Sequence, residues 1–298
     1  MLAGIEAGGT KMVCVVGLDA FHLFAQKSFP TTTPAETLPL LINFLKECER
    51  RFEPITGIGI AAFGPVDIHP SSPTYGQIGL TPKLAWQGFN WVQTLQEAFA
   101  LPVSVDTDVN GAALGEWRWG AAQNLDNFLY ITVGTGIGGG GRVNGNLLHG
   151  RFHPEMGHIR IPHELQRDPF PGCCPYHGDC LEGLASGEAI FQRWREKAQN
   201  LPSDHPAWEL EAHYLALSLT NFLFTLSPQR ILLGGGVMKQ PGLLNRVRQK
   251  TLEYSSGYLP YLAEEINEVV TSPLLGDLAG SCGALALASG CEVSKETT

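Results

Sequence analysis

With 298 residues, 44% of them hydrophobic and 16% charged, the chain is long enough to bury the core of one large or two modest soluble domains. A net charge of −9 lacks the basic face a nucleic-acid binder presents, and no run of about 18 apolar residues is free of charge and glycine, which argues against a membrane span. The opening MLAGIEAGGTK enters a strand without a basic segment, apolar stretch and cleavage site in succession, so a cytoplasmic protein is expected.

Residues 2–17 read as strand, Gly-Gly-Thr turn, strand, and residues 128–143 repeat that pattern. Apolar residues at helical spacing (Leu38, Leu41, Ile42, Leu45) predict a helix over 35–52, and Ile55–Phe63 predicts a strand. Residues 66–90 form a Pro- and Gly-rich loop too long to be a plain connection, and loops of that length are functional or disordered. A helix over Trp91–Phe99, a strand over Val103–Val105 and a helix over Ala112–Trp119 complete a first half, 1–117. In the second half, 118–298, a polar His/Cys-rich insertion (150–183) precedes helices over 186–198 and 208–226. A strand at Arg230–Leu233 then leads into Gly234-Gly235-Gly236, a further helix follows, and Ala279–Ala288 can close the fold as a helix able to pack back on the first half. Each half thus runs as a strand meander followed by helix, strand, helix. The final eight residues are expected to fray.

Three sets of groups could do chemistry. Gly8, Gly9, Thr10 and Lys11 supply amides, a hydroxyl and an ammonium at one turn, and Gly134, Thr135, Gly136 and Gly138 supply a matching set. Gly234, Gly235 and Gly236 add a third at a strand end before a helix, where free amides and the helix dipole favour anions. Any one of these could be only a tight turn; together they point to phosphates held between two related halves. The spacing is not GxxxxGK[ST], which excludes a Walker-type loop. Asp108 follows a short strand at or near a helix start. It is read either as a helix cap or as a general base, with Asp106 and Thr107 competing for the cap. Of the seven cysteines, three lie within 173–180, which suits a metal in a reducing compartment better than disulfides. The run Cys174-x2-His177-x2-Cys180 with one upstream histidine closes a four-ligand zinc site of structural type, with Cys173 able to replace Cys174 by a register shift. Glu155 and Glu182 flank these ligands, as sugar-binding carboxylates or as solvated charges.

The strings Ile5-Glu-Ala-Gly-Gly-Thr-Lys11, Thr107-Asp-Val-Asn110, Gly134-Thr-Gly-Ile-Gly138, His153-Pro-Glu-Met-Gly-His158, Cys174-Pro-Tyr-His-Gly-Asp-Cys-Leu-Glu-Gly183 and Gly234-Gly-Gly-Val237 together resemble the ROK family of sugar kinases and repressors, over essentially the whole chain. The resemblance implies an actin-like, ribonuclease-H-like pair of α/β domains with ATP and sugar in the cleft. It implies Asp108 as catalytic base, His158, Cys174, His177 and Cys180 as zinc ligands, and Glu155, His158, Glu182 and Asn110 at or near the sugar. ATP, Mg²⁺ and structural Zn²⁺ are the expected cofactors, and a homodimer the expected assembly. Thr81-Pro-Lys-Leu-Ala-Trp86 is similar to a loop of the fructokinase branch and favours fructose over glucose, mannose or an amino sugar. Glu6 stands where most members carry Asp, Leu84-Ala85 replaces the usual Pro-Gly, and Gly111 replaces a common Ala at some cost in helix propensity.

The alternatives differ in their demands. A repressor of the same family would carry a helix-turn-helix before the first strand. A chaperone-like ATPase has no use for the His/Cys insertion, and a zinc hydrolase needs an open metal position that a fourth ligand would close. The expected activity is ATP-dependent phosphorylation of a hexose 6-hydroxyl, fructose first.

Overall fold

A computed structural model describes residues 1–293 of the chain, which divide into two compact units. The first comprises Met1–Gln123, His149–His153 and the stretch from Asp277 onward; the second comprises Asn124–Leu148 and Pro154–Gly276.

In the first unit, β1 (Leu2–Ala7), β2 (Lys11–Gly17) and β3 (Leu23–Pro30) form an antiparallel meander. Helix α1 (Pro34–Arg51) starts with a Thr33/Glu36 capping box and a proline at its first position, where no amide is needed. Then follow β4 (Gly57–Ala62), α2 (Trp91–Phe99), β5 (Val103–Thr107) and α3 (Asp108–Trp119). The sheet order is β3-β2-β1-β4-β5, with β4 and β5 parallel to β1. One face packs on α1 and α2 through Ile5, Met12, Leu41, Leu45, Ile60 and Leu95, all fully buried. The loop at 66–90 is folded. Val66 bridges to Ile78 and Gln77 to Asn90, and the buried Trp86 stacks on Trp91 while its Nε1 donates to the Thr32 carbonyl (2.8 Å).

The other face is covered by the closing helix, Ala279–Val293, which lies on β1, β4 and α3. Of the last eight residues, expected to fray, 291–293 belong to this helix, and 294–298 lie outside the described residues. Close approach sets the sequence here. A Cβ on Gly59 would lie 1.9 Å from the Ala284 carbonyl oxygen, and one on Gly111 only 2.5 Å from Ala61 Cβ. Glycine at 111 is thus required by packing, which accounts for its departure from the usual alanine. Gly59→Ala is expected to lower stability by about 1–3 kcal/mol. That corresponds to a melting midpoint lower by about 2–4 °C per kcal/mol. Thermal unfolding checks this, and an unchanged midpoint would mean the helix is not pressed onto the sheet.

The second unit repeats the plan. Strands β6 (Phe128–Val133), β7 (Ile137–Val143) and β8 (Asn146–Leu147) form the meander, and β9 (Arg230–Gly234) and β10 (Val270–Thr271) add in parallel, giving β10-β9-β6-β7-β8. Read from the other edge this is the order of the first sheet. Helices α4 (Leu181–Ala185), α5 (Gly187–Trp194), α6 (Ala207–Leu226), α7 (Leu243–Ser255) and α8 (Leu262–Val269) supply the core with Trp208, Leu215, Leu219, Leu243 and Leu262. The insertion has an anchor of its own. Asp168, 3% exposed, accepts from Arg193 Nε (3.0 Å) and Nη2 (2.9 Å) and from the Tyr214 hydroxyl (2.7 Å). No helix among the described residues is long and apolar enough to cross a membrane.

Candidate active site

The two glycine hairpins are alike in kind but not in length. In the first, Ala7 pairs with Met12, leaving Gly8–Lys11 to turn; in the second, Val133 pairs with Ile137, leaving only Gly134–Gly136. The first glycine closes each turn, Gly8 N–H donating to the Lys11 carbonyl (3.1 Å) and Gly134 N–H to the Gly136 carbonyl (2.9 Å). The amides of Gly8 and Gly134 are thus spent within their own turns. Gly138 sits inside β7, opposite Thr132. Gly234 ends β9, and Gly235 takes φ of +94°, with a would-be Cβ 2.4 Å from the Val133 carbonyl oxygen. The third glycine turn is thus packed against the end of β6. A single 3₁₀ turn (Val237–Lys239) follows it, and α7 starts only at Leu243, so the dipole of a long helix does not bear directly on Gly234–Gly236.

Lys83, from the Thr81–Trp86 loop, was read from the sequence only as part of a sugar loop. Its Cε would lie 3.3 Å from a Cβ on Gly9, which brings a second ammonium-bearing side chain to the first turn alongside Lys11. Before that turn, Glu6 is half-buried, and desolvation holds its carboxyl above the usual range. Its Oε2 has no hydrogen-bond partner among the described residues.

Asp108 is the first residue of α3 and partly exposed. The competition for the cap resolves in favour of Thr107, whose hydroxyl accepts from Asn110 N–H (3.2 Å). Asp106 is 3% exposed; its Oδ1 accepts from Thr107 N–H (2.7 Å) and Asn110 Nδ2 (2.9 Å). Its Oδ2 accepts from His149 Nε2 (2.7 Å), and that bond raises the imidazole pKa above its ordinary value. Asp108 Oδ1 accepts from Val109 N–H (2.9 Å). Asn110 is fully buried, and its Nδ2 donates one of its two protons to Asp106.

In the second unit, His158, Cys174, His177 and Cys180 bring their ligand atoms within 4.8 Å of one another. Zinc bonds of about 2.3 Å to sulfur and 2.0–2.1 Å to nitrogen put S and N about 3.6 Å apart across a tetrahedron. The Sγ–Nδ1 separations are 3.8 Å (Cys174–His158), 3.6 Å (Cys174–His177) and 3.6 Å (Cys180–His158), so the donor set fits zinc. Cys173 stands outside the group, its side chain toward Ser186. The ligands also organise their neighbours. Cys180 caps α4, whose Glu182 Oε2 accepts from Ile137 N–H (2.9 Å) at the foot of the second hairpin. A Cβ on Gly136 would lie 2.5 Å from that oxygen. The Gly134 carbonyl accepts from Gly187 N–H (2.7 Å), joining the turn to the start of α5. Glu155, exposed, precedes the 3₁₀ turn Met156–His158 that packs on β7.

Duplicated mixed sheets carrying paired glycine hairpins, with an aspartate at a strand-to-helix junction, define an actin-like, ribonuclease-H-like ATPase fold. The ROK family profile matches residues 2–290, and the chain belongs to that family. It is 44% identical over 293 residues to a fructokinase of Zymomonas mobilis, covering 97% of this chain and 96% of the relative. It is 38% identical to a fructokinase of Pediococcus pentosaceus, covering 97% of each. The crystal structure of a ROK hexokinase from Thermus thermophilus superposes with a TM-score of 0.77 at 27% identity, over 99% of both chains.

Proposed function

We propose that the protein is an ATP-dependent fructokinase that converts D-fructose to fructose 6-phosphate. The observation that carries fructose over another hexose is the near full-length similarity to fructokinases of two organisms, together with the Thr81–Trp86 loop seated beside the first glycine turn. In this reading Asp108 accepts the proton of the sugar 6-hydroxyl while that oxygen attacks the γ-phosphorus, and ADP leaves with the β–γ bridging oxygen. The turn amides of Gly9, Thr10, Thr135 and Gly136, with Lys11 and Lys83, hold the phosphates. Gly8, Gly134, Gly138 and Gly234–Gly236 shape the turns and their approach to the nucleotide. Mg²⁺ would neutralise phosphate charge, and the unpartnered Glu6 Oε2 is the oxygen suited to a hydrated cation. Glu155, His158, Glu182 and Asn110 take the sugar hydroxyls. Zinc held by His158, Cys174, His177 and Cys180 would be structural, since four protein ligands leave no open position. The enzyme is assigned to the cytoplasm as a homodimer acting on small molecules, with neither nucleic acid nor membrane as partner.

A coupled ADP-release assay across fructose, mannose, glucose and N-acetylmannosamine tests the reading. Turnover should be highest on fructose and negligible without sugar. Equal, slow rates on every sugar would remove the fructose assignment, and sugar-independent ATP turnover would remove the kinase.

A further inference from the structure

The short segment His149–His153 belongs to the first unit, although the residues on either side of it belong to the second. Three histidine interactions hold it there. His69 Nε2 donates to the Arg151 carbonyl (2.8 Å), Val66 N–H donates to His153 Nε2 (3.4 Å), and His149 Nε2 donates to Asp106 Oδ2 (2.7 Å). The first holds the backbone of the segment and the second its His153 side chain, both without His149. The third lands on the buried carboxylate two residues before the proposed base.

We propose that His149 is a positioning residue for phosphoryl transfer: by holding Asp106 Oδ2 it fixes the Asp106 carboxylate whose Oδ1 sets Thr107 and Asn110, and so aims Asp108 from the first turn of α3. This rests on the reading of Asp108 as base. Asp106 is 3% exposed, so removing its imidazole partner leaves a carboxylate oxygen buried without a donor. The carboxylate then rotates toward solvent or takes up a proton, and in both cases its bonds to Thr107 N–H and Asn110 Nδ2 weaken. Those two bonds hold Thr107, the cap of α3, and Asn110 in its first turn. A shift of Asp108 by about 1 Å is enough to cost about 10²-fold in rate. Neither Asp106 nor His149 need touch sugar or nucleotide for this, so the effect belongs in kcat.

His149 is 36% exposed, and serine there should be tolerated by the fold. His149→Ser is expected to lower kcat by about 10–100-fold, with KM for ATP and for fructose within about threefold and the melting midpoint lowered by only a few degrees, about 2–10 °C. His149→Gln, which keeps a donor of similar reach, should restore most of the lost turnover, and added imidazole should partly rescue the serine variant. Asp106→Asn should lower kcat alone, and the Asp106→Asn/His149→Ser double variant should be no slower than the worse single variant, because one interaction is lost in each. Full kcat in His149→Ser, or additive losses in the double variant, would overturn the proposal. If the serine variant does not fold, the other arms decide: full kcat in Asp106→Asn, or no turnover advantage of His149→Gln over His149→Leu, overturns it equally. Asp108→Asn separates the two readings. If that variant is inactive while His149→Ser is unimpaired, only the role of His149 falls; if Asp108→Asn retains turnover, the base assignment itself falls.

Discussion

Asp108→Asn lowers kcat by about 10²–10⁴-fold, the range a positioned general base contributes, and leaves nucleotide affinity within a small factor. The amide keeps an oxygen able to accept from Val109 N–H and occupies the same volume at the first position of α3. The helix start, its Thr107 cap and the Asp106 carboxylate are therefore expected to stay in place. What disappears is the capacity to take a proton. Single-turnover measurements with ATP and fructose isolate the chemical step, and a fluorescent ATP analogue measures binding. A variant with near-normal turnover would exclude Asp108 from the mechanism.

The second large effect is expected at the His/Cys cluster proposed to hold zinc. Removing zinc with a strong chelator, or substituting Cys180→Ser, is expected to lower turnover by about 100-fold and to bring the zinc content from one per chain to none. The reason lies in what Cys180 holds. It is the N-cap residue of α4, and two residues on, in the first turn of that helix, Glu182 accepts from the Ile137 amide at the second hairpin. Freeing Cys180 thus loosens a carboxylate assigned to the sugar and a turn assigned to phosphate at the same time. The loss should be local, because Asp168 ties the insertion to Arg193 and Tyr214 without any metal. Circular dichroism should change little while activity collapses, and zinc returned to the chelated enzyme should restore it. Full activity in a protein shown by elemental analysis to be metal-free would remove zinc from the account.

How much of this was legible in the sequence depends on the range of each interaction. The glycine hairpins could be read because glycine interrupts apolar runs over a few residues, and the His/Cys cluster because three of its four members fall within seven positions. The dominance of Thr107 at the cap needed the backbone angles of the junction. Helix α4 was not legible: Leu181–Ala185 is only five residues long and lies directly behind a metal ligand. Strand β3 is an edge whose mostly exposed side chains give no apolar run to detect, and α8, though amphipathic, covers only eight residues. His149 and Lys83 escaped because their partners are distant in sequence, Asp106 lying 43 positions before His149. Nothing local marks such a pair, and a single chain offers no second sequence in which the two change together.

The helix Ala279–Val293, which covers one face of the first sheet, has a bearing on biosynthesis. The strands it shields leave the ribosome long before it does, so through most of translation Gly4, Gly59 and Gly111 border an open apolar trough. Nascent chains halted before Ala279 would be attractive clients for chaperones and easy targets for proteases.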